Sequence, residues 1–273
     1  MNETTSEDKA VSITAADARA EAQRIAFGPI VFQACQAMRR MGVLDAIGKG
    51  RKHGVTEAEI HAAVRISPYG LRVLLDMALT SDLVWQKGDR FGLTKTGHMI
   101  AFDEMTRVNL DFVDDVCYAG SAHLEEAICE GRPAGLKVLG EWPTVYQGLA
   151  HLPAAVRKSW FEFDNYYSDR SYPIALEIIF REKPRVIMDV GANNGKWSLS
   201  CLRHDPEVRM IAVDLPGQLR DLRGNLQAAG MEQRVTTHAA DMLDPTSTLP
   251  AGADAIWMSQ FLDCFGEEEV VAI

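Results

Sequence analysis

The stretch VIMDVGANNG, residues 186–195, decides the fold of this chain. It opens as a short apolar run with Asp189 near its end, which is the pattern of a buried parallel strand. Gly191 and Gly195 then bracket a tight turn, and KWSL at 196–199 begins a helix. Strand, glycine turn and helix in this order predict a ligand site at the carboxyl edge of an α/β sheet.

Phosphate ligands do not suit this turn. A Walker loop needs GxxxxGK[ST], but here the two glycines are one residue too close and Trp197 follows Lys196 where a hydroxyl belongs. The dinucleotide fingerprint GxGxxG fails at Asn193, and Asp189 would face a pyrophosphate. S-adenosylmethionine has no phosphate and a cationic amino-acid end, so it suits Asp189 better. A strand, turn and helix without any ligand is the remaining alternative.

Three later segments repeat the pattern of a strand followed by an acid. They are 208–216, which ends in Asp214-Leu215-Pro216, 234–240, followed by Asp241-Met242, and 254–262, which leads to Asp263. Helices are expected over 196–203 and 218–229. Asp214 follows Asp189 at about the spacing of a carboxylate that grips ribose hydroxyls. The order predicts an α/β fold with a Rossmann-like doubly wound sheet.

Residues 186–265 resemble the class I S-adenosylmethionine-dependent methyltransferases. The resemblance is carried by Asp189-Val190-Gly191, Asp214-Leu215-Pro216, Asp241-Met242 and LDCFGEE at 262–268, which are similar to small-molecule O-methyltransferases of phenolic and hydroxyindole substrates. It extends through the N-terminal region. It implies that the cofactor is bound by Asp189, Gly191, Ala192, Asn193 and Gly195 at the turn, by Asp214 and Leu215 at the ribose, by Asp241 and Met242 at the adenine, and by Ser259, Gln260 and Ser171 elsewhere. Alternatively, Ser171 is an ordinary helix residue that does not bind the cofactor.

Asp263 departs from the resembled family, in which many members carry a histidine general base at this position. Proton transfer from a phenol of pKa ~10 to a carboxylate of pKa ~3.9 is uphill by about 8 kcal/mol, although burial of a carboxylate reduces that gap. Alternatively the substrate arrives as an anion and the enzyme supplies orientation. A third possibility is that the cofactor serves decarboxylation or hydroxylation of the substrate, as in some members of the resembled family. Methyl transfer, with Asp263 orienting the substrate or acting as a weak base, is preferred.

The N-terminal region predicts a separate helical unit. Thr56–Glu59 is a capping box, Ser67-Pro68 begins a second helix, and 83–86 with 90–94 form a hairpin. This winged-helix pattern raises a DNA-binding regulator as the alternative function. A formal net charge of −10 and a second helix poor in base-reading side chains argue against nucleic acid. In the resembled family the module mediates dimerisation, so a homodimer is expected.

Residues 105–180 are expected to be helical, with a Gly/Pro-rich break over 131–143. Aromatic side chains concentrate there, just before the first sheet strand. Aromatic residues at helical spacing usually belong to a core, but some are expected to line a pocket for a flat substrate. Tyr167 is the preferred residue, with Phe163 and Tyr118 beside it. A small aromatic or quinone-like hydroxyl compound is the expected substrate.

Composition favours a two-domain enzyme, since the chain has 273 residues and is 47% hydrophobic. The expected division is a disordered tail over 1–14, a winged-helix dimerisation domain over 15–104, a helical linker and pocket region over 105–180, and a methyltransferase domain over 181–273. The sequence has no membrane-length apolar run, no signal peptide and no metal-ligand spacing. Its five unpaired cysteines indicate a cytoplasmic protein. Four strands stand where the resembled fold has seven, so a truncated sheet and a fragment of a longer protein are expected.

Overall fold

The computed structural model describes residues 13–273, so residues 1–12 of the predicted tail lie outside the described part. Thr14, also assigned to that tail, caps the first helix by accepting a hydrogen bond from the backbone N–H of Asp17. The chain divides into two units, one ending at Leu110 and one running from Asp111 to Ile273. None of the described helices is both long and apolar enough to cross a membrane.

The first unit combines helices with a small antiparallel sheet of strand order β1-β3-β2. Its elements are α1 Ala15–Ala26, α2 Gly28–Arg40, α3 Val43–Lys49, β1 Val55–Thr56, α4 Glu57–Ala63, α5 Pro68–Thr80, β2 Val84–Lys87, β3 Arg90–Leu93, α6 Lys95–Phe102 and α7 Glu104–Phe112, whose last residues belong to the second unit.

Local capping explains where helices of the first unit begin. Thr56 Oγ1 accepts from the Glu59 N–H at 3.2 Å, and the Glu59 carboxylate accepts from the Thr56 N–H at 2.7 Å. Such a reciprocal pair satisfies two N–H groups that a helix start leaves free. Ser67 caps α5 through the Gly70 N–H at 3.1 Å. Together the helices bury one apolar core, whose fully buried members include Met38, Leu44, Ile47, Ile60 and Leu71.

The second unit is a parallel sheet flanked by helices. Its elements are a π-helical turn Val113–Cys117, α8 Tyr118–Ser121, α9 Leu124–Glu130, α10 Val145–Gly148, α11 Ala154–Ile179, β4 Val186–Val190, α12 Lys196–His204, β5 Arg209–Asp214, α13 Pro216–Ala229, β6 Val235–Ala239, β7 Ala255–Trp257 and α14 Glu267–Ala272, with short 3-10 turns at Ala134–Val138, Leu149–His151, Phe180–Glu182, Glu232–Arg234 and Leu262–Cys264.

The sheet has the strand order β6-β5-β4-β7, and every neighbouring pair is parallel. The expectation of an α/β fold with a parallel sheet is confirmed. Chain order runs outward from β4 to β6 on one side and returns to β7 on the other, so the direction reverses between β4 and β7. Ligands of such sheets bind in the crevice at this switch point, outside the carboxyl ends of the strands. The fourth strand is shorter than expected, because it leaves the sheet after Trp257.

Two glycines at helix positions predict opposite effects of the same substitution. A Cβ added at Gly97 in α6 would lie 1.9 Å from the Leu83 carbonyl oxygen, whereas one added at Gly224 in α13 has nothing within 4 Å. We expect Gly97→Ala to lower the free energy of unfolding by about 1–3 kcal/mol through backbone displacement. Gly224→Ala should raise it by about 0.5–1 kcal/mol, because alanine loses less entropy in a helix.

Calorimetric melting of both variants and the parent chain checks this pair. The Gly224→Ala protein is the matched control, since it carries the same added methyl group on a helix. A Gly97→Ala melting temperature equal to that of the parent would contradict the close contact with Leu83.

Candidate active site

A cavity of about 340 Å3 lies at the switch point of the second unit. This volume is near the lower end of the ~300–1,000 Å3 typical of small-molecule sites. The loops that follow β4, β5, β6 and β7 form one side, and one face of α11 forms the other. Of the residues expected to bind cofactor, those that line the cavity are Asp189, Gly191, Ala192, Asn193, Asp214, Leu215, Asp241, Met242, Ser259 and Gln260.

The turn after β4 is folded back onto β5. Gly191 and Ala192 donate their backbone N–H groups to the carbonyl oxygen of Val213 at 3.0 and 3.2 Å. Gly191 has a φ of 73°, in the left-handed region that favours glycine. A Cβ at this position would also lie 2.5 Å from the ring of Phe261. Glycine is therefore required both by the turn and by close packing of the loop that follows β7.

The carboxylate of Asp214 fastens this turn to the end of β5. It accepts from the backbone N–H of Asn193 at 2.7 Å and from that of Leu215 at 2.7 Å. Burial raises the pKa of Asp214, and the two backbone hydrogen bonds oppose that rise. The residue was expected only as a ribose ligand, so its part in holding Asn193 in place is an additional role.

Asp189 lies behind the turn and is 2% exposed. Its carboxylate accepts a hydrogen bond from Ser198 Oγ at 2.6 Å. Burial raises the pKa of Asp189 to about 7, the Ser198 hydrogen bond acts against this, and the nearby Asp214 charge adds to it. Desolvation dominates because a charged carboxylate loses most of its hydration in this position.

One face of α11 contributes polar residues that sequence reasoning missed. Trp160, Asp164, Ser168 and Tyr172 lie at successive i, i+4 positions, and all of them line the cavity. Asn193 Nδ2 donates to Asp164 Oδ2 at 3.2 Å, and Gln260 Nε2 donates to Ser168 Oγ at 3.0 Å. The available signal was that polar residues recur at helical spacing beside aromatic ones, immediately before the first sheet strand.

Ser171 and Tyr167 do not line the cavity, although both were expected there. They lie on the helical row next to the one that contains Asp164 and Ser168. The Ser171 hydroxyl instead donates to the carbonyl oxygen of Ser168 at 2.8 Å. Tyr167 is 40% exposed and packs against Phe163, with 5.0 Å between ring centroids.

Gly195 and Tyr118 also lie outside the residues that line the cavity. Gly195 precedes α12 with a φ of 80°, and a Cβ there would lie 2.9 Å from Leu222. Its small size therefore serves the packing of α12 against α13. Tyr118 begins α8. Phe163, the third residue expected at the substrate pocket, lines the cavity.

Four aromatic side chains, those of Phe112, Tyr146, Trp160 and Phe163, also line the cavity. Phe112 stacks on Phe163 with centroids 4.1 Å apart and planes at 18°, and Trp160 lies 5.7 Å from Phe112. Tyr146 meets Trp160 edge-on at 6.1 Å. These four rings form an apolar part of the cavity wall, here called the aromatic slot, and their mutual contacts are of the offset and edge kinds that aromatic pairs favour.

Asp263, the expected catalytic residue, lines this same cavity in a 3-10 turn and remains exposed. Its neighbour Cys264 contacts the hydroxyl of Tyr146, with Sγ and OH 2.5 Å apart. Burial, followed by the Cys264 contact, raises the pKa of Tyr146. Tyr146 is held from the other side by Gln218, whose Nε2 donates to the Tyr146 carbonyl oxygen at 2.8 Å. Nothing local in the sequence connects Tyr146 with Cys264.

The charges around the cavity favour a cationic ligand. Five carboxylates line it, against a single cationic side chain, Lys196, which itself pairs with Asp169 at 2.5 Å. The carboxylates are those of Asp164, Asp189, Asp214, Asp241 and Asp263. Trp197 adds a buried indole Nε1 that has no hydrogen-bond acceptor within the described chain. Over residues 13–273 no His, Cys, Asp and Glu cluster could hold a metal ion.

Comparison with known families agrees with the fold of both units. Residues 19–91 match the family profile of the Dimerisation2-like domain, and residues 174–273 match that of the O-methyltransferase domain. The chain joins a Dimerisation2-like domain to an O-methyltransferase domain. The O-methyltransferase match begins within α11 and covers all four strands of the parallel sheet.

Individual relatives resemble parts of the chain. The 3-hydroxy-5-methyl-1-naphthoate 3-O-methyltransferase of Streptomyces sahachiroi is 37% identical over 86 residues, which are 31% of this chain and 24% of that protein. The chain thus matches about a quarter of the length of this curated relative. Among solved structures, PigF with S-adenosylhomocysteine has a TM-score of 0.71 at 18% identity, covering 95% of this chain and 76% of PigF.

NcsB1, an O-methyltransferase from neocarzinostatin biosynthesis, was solved with S-adenosylmethionine and 2-hydroxy-5-methyl naphthoic acid. It has a TM-score of 0.67 at 22% identity, with 89% of this chain and 73% of NcsB1 covered. At these identities the structural likeness establishes the shared fold of the O-methyltransferase domain.

The raised pKa of Asp189 predicts that the O-methyltransferase domain loses stability as pH rises. Its folded pKa of about 7 lies above the ~3.9 of an unfolded aspartate. Between these values the folded state keeps a proton that the unfolded state releases, so stability present below pH ~4 is lost as pH approaches 7. The side chain introduced by Asp189→Asn cannot ionise, so the variant lacks this pH-dependent contribution to the free energy of unfolding. We expect the difference in unfolding free energy to shift in favour of the variant by about 1 kcal/mol per pH unit across this window.

Urea unfolding of both proteins at several pH values between about 5 and 8 measures that difference. Ser198→Ala is a second check, because loss of its hydrogen bond should raise the pKa of Asp189 further. A difference that stays constant with pH would show that Asp189 titrates normally.

Proposed function

We propose that the chain is the core of an S-adenosylmethionine-dependent O-methyltransferase whose acceptor is a small aromatic or quinone-like hydroxyl compound. The observation that carries the proposal is that one cavity is lined both by carboxylates at the strand ends and by a group of aromatic side chains. A cationic nucleoside cofactor and a flat acceptor would lie side by side in such a space.

The residues at the strand ends fit the cofactor. Asp214 would accept hydrogen bonds from the ribose hydroxyls, and Asp241 with Met242 would hold the adenine. The turn around Gly191 and Asn193 would contact the methionine portion. The excess of carboxylates suits a positively charged ligand and opposes a phosphate. When bound, S-adenosylmethionine supplies an electrophilic methyl group on a cationic sulfur.

The aromatic slot fits a bicyclic acceptor. Phe112 stacks on Phe163, Trp160 is tilted against Phe112, and Tyr146 meets Trp160 edge-on. The four rings would offer apolar contacts to a planar substrate. The naphthoate specificity of the Streptomyces sahachiroi relative and the naphthoic acid bound to NcsB1 support an acceptor of this size. We therefore take a hydroxynaphthoate as the first substrate class to test.

The chain's own contribution to the reaction is chiefly alignment and exclusion of water. Orientation of two bound reactants is worth about 7–11 kcal/mol of the barrier. The raised pKa of Tyr146 keeps its hydroxyl protonated, so it serves as a hydrogen-bond donor and not as a base. Asp263 is exposed at the slot, where it can orient an acceptor hydroxyl or accept its proton weakly.

A homodimer formed through the first unit is part of the proposal. The match of residues 19–91 to a Dimerisation2-like domain supports it. Large apolar side chains at the junction of α1 and α2 are exposed, with Ile25 at 66%, Phe27 at 55% and Ile30 at 58%. Patches of this kind mark protein contact surfaces more often than they mark isolated monomers.

Cofactor binding provides the first test. We expect the 273-residue chain to bind S-adenosylhomocysteine in calorimetric titration, and Asp214→Ala to weaken that binding by about 100-fold or more, since a charged acceptor and the clamp on Asn193 are both lost. Asp244→Ala, on an exposed residue after β6 outside the cavity, is the control. Absence of binding by the parent chain would reject the proposal.

The role of Asp263 is tested by methyl transfer to a hydroxynaphthoate. We expect Asp263→Ala to lower kcat by less than about 100-fold, because positioned general bases contribute about 100- to 10,000-fold and this carboxylate is solvent-exposed. Steady-state rates across pH measure the effect. A larger loss, together with disappearance of the acidic limb of the pH profile, would identify Asp263 as the general base instead.

A further inference from the structure

Two loops reach the same face of α11 through side-chain amides. Asn193, after β4, donates to the carboxylate of Asp164 at 3.2 Å, and Gln260, after β7, donates to the hydroxyl of Ser168 at 3.0 Å. Both donors have positive φ angles, 51° and 49°, which residues other than glycine seldom adopt. Strain of this kind concentrates at sites where the surrounding structure enforces it. The two amide hydrogen bonds therefore indicate that this face of α11 is a functional part of the cavity wall.

Asp164 is the charged member of this face. Within residues 13–273 it takes part in no ion pair, and its one side-chain hydrogen bond comes from the neutral amide of Asn193. Burial raises its pKa, and the Asn193 hydrogen bond and the charge of Lys196, which is itself paired with Asp169, only partly compensate. A desolvated carboxylate without an ion-pair partner gains from a ligand that carries positive charge. The cavity thus presents an acceptor matched to a positively charged hydrogen-bond donor.

We propose that Asp164 binds the α-ammonium group of the cofactor's amino-acid end, with Asn193 as its positioning residue. This assignment rests on the proposed function. The geometry supports it because Asn193 belongs to the turn that bounds the same part of the cavity, and its own backbone is fixed by Asp214 at 2.7 Å. One residue thereby connects the carboxylate at the end of β5 with the carboxylate on α11.

Three ligands separate the parts of the cofactor. S-Adenosylhomocysteine carries both ammonium and carboxylate, its decarboxylated analogue keeps the amine alone, and 5′-methylthioadenosine lacks both. We expect Asp164→Asn to weaken binding of the first two by about 10- to 100-fold, the range for a hydrogen bond to a charged group, and to leave the third within about twofold. Titration calorimetry of the full 273-residue chain measures all three.

Asn193→Gly tests the positioning role. Glycine tolerates a φ of 51°, so the turn is retained while the amide is removed. We expect weaker binding of the two amine-bearing ligands, and less than additive loss in the double variant with Asp164→Asn, because both changes remove one interaction. Glu177→Gln is the matched control, an exposed carboxylate on α11 outside the cavity, and should change none of the affinities.

Each outcome is decisive. Equal losses for all three ligands, or none for the decarboxylated analogue, would overturn the assignment of Asp164 while the proposed function stands. Failure of the parent chain to bind any of them would reject the proposed function itself. Should Asp164→Asn melt below the assay temperature, the Asn193→Gly comparison across the same ligands decides the question, because selective loss supports the assignment and uniform loss refutes it.

Discussion

The carboxylate of Asp214 is the contact on which the site depends. By accepting from the N–H groups of Asn193 and Leu215, it ties the turn after β4 to the end of β5. The backbone N–H groups of Gly191 and Ala192 hold the start of this turn on Val213, and Asp214 holds its next residue, Asn193, which passes through left-handed backbone. Once that N–H is fixed, the Asn193 side chain is directed at Asp164, and the space between the sheet edge and α11 acquires its shape. Asn193 thus connects a carboxylate at the end of β5 with a carboxylate on α11.

This arrangement lowers the stability of the free domain. Asp189 is buried without a cation, and its raised pKa measures the unfavourable desolvation of its charge. Asp164 and Asp214 are shifted in the same direction for the same reason. Replacement of buried charged groups by apolar residues often stabilises a protein. The presence of these three carboxylates at one cavity therefore requires a favourable interaction that offsets their desolvation. A positively charged ligand provides this favourable interaction only when it is bound. Ligand binding in the cavity is therefore coupled to the stability of the fold.

The sequence was sufficient for features that depend on neighbours along the chain. The four strands, the glycine turn and the caps at Thr56 and Ser67 are local patterns, and each has formed. The family resemblance and the parallel sheet are confirmed, while the roles of the individual site residues stay predictions. The side of α11 that lines the cavity could not be predicted from the sequence in the same way, because α11 continues through Pro173 and carries aromatic residues on several sides. Ser171, which was expected to bind the cofactor, donates to the Ser168 carbonyl oxygen, whereas the Ser168 hydroxyl accepts from Gln260, and no local pattern distinguishes these two serines. The contact of Tyr146 with Cys264 joins residues 118 positions apart, beyond any local signal.

Asparagine and glutamine at positive φ angles argue for function more strongly than glycine would. Glycine at either position would relieve backbone strain that costs on the order of 1–3 kcal/mol per residue, and the turn after β4 already uses glycine at 191 and 195. The polar side chain is therefore what distinguishes these two positions from their neighbours. Asparagine tolerates the left-handed region better than glutamine does, so the strain is greater at Gln260, whose amide reaches the buried Ser168. The loop after β7 also carries Phe261, which packs on Gly191, and leads directly to Asp263. The hydrogen bond of Gln260 to Ser168 consequently holds the loop that carries Phe261 and Asp263 against α11.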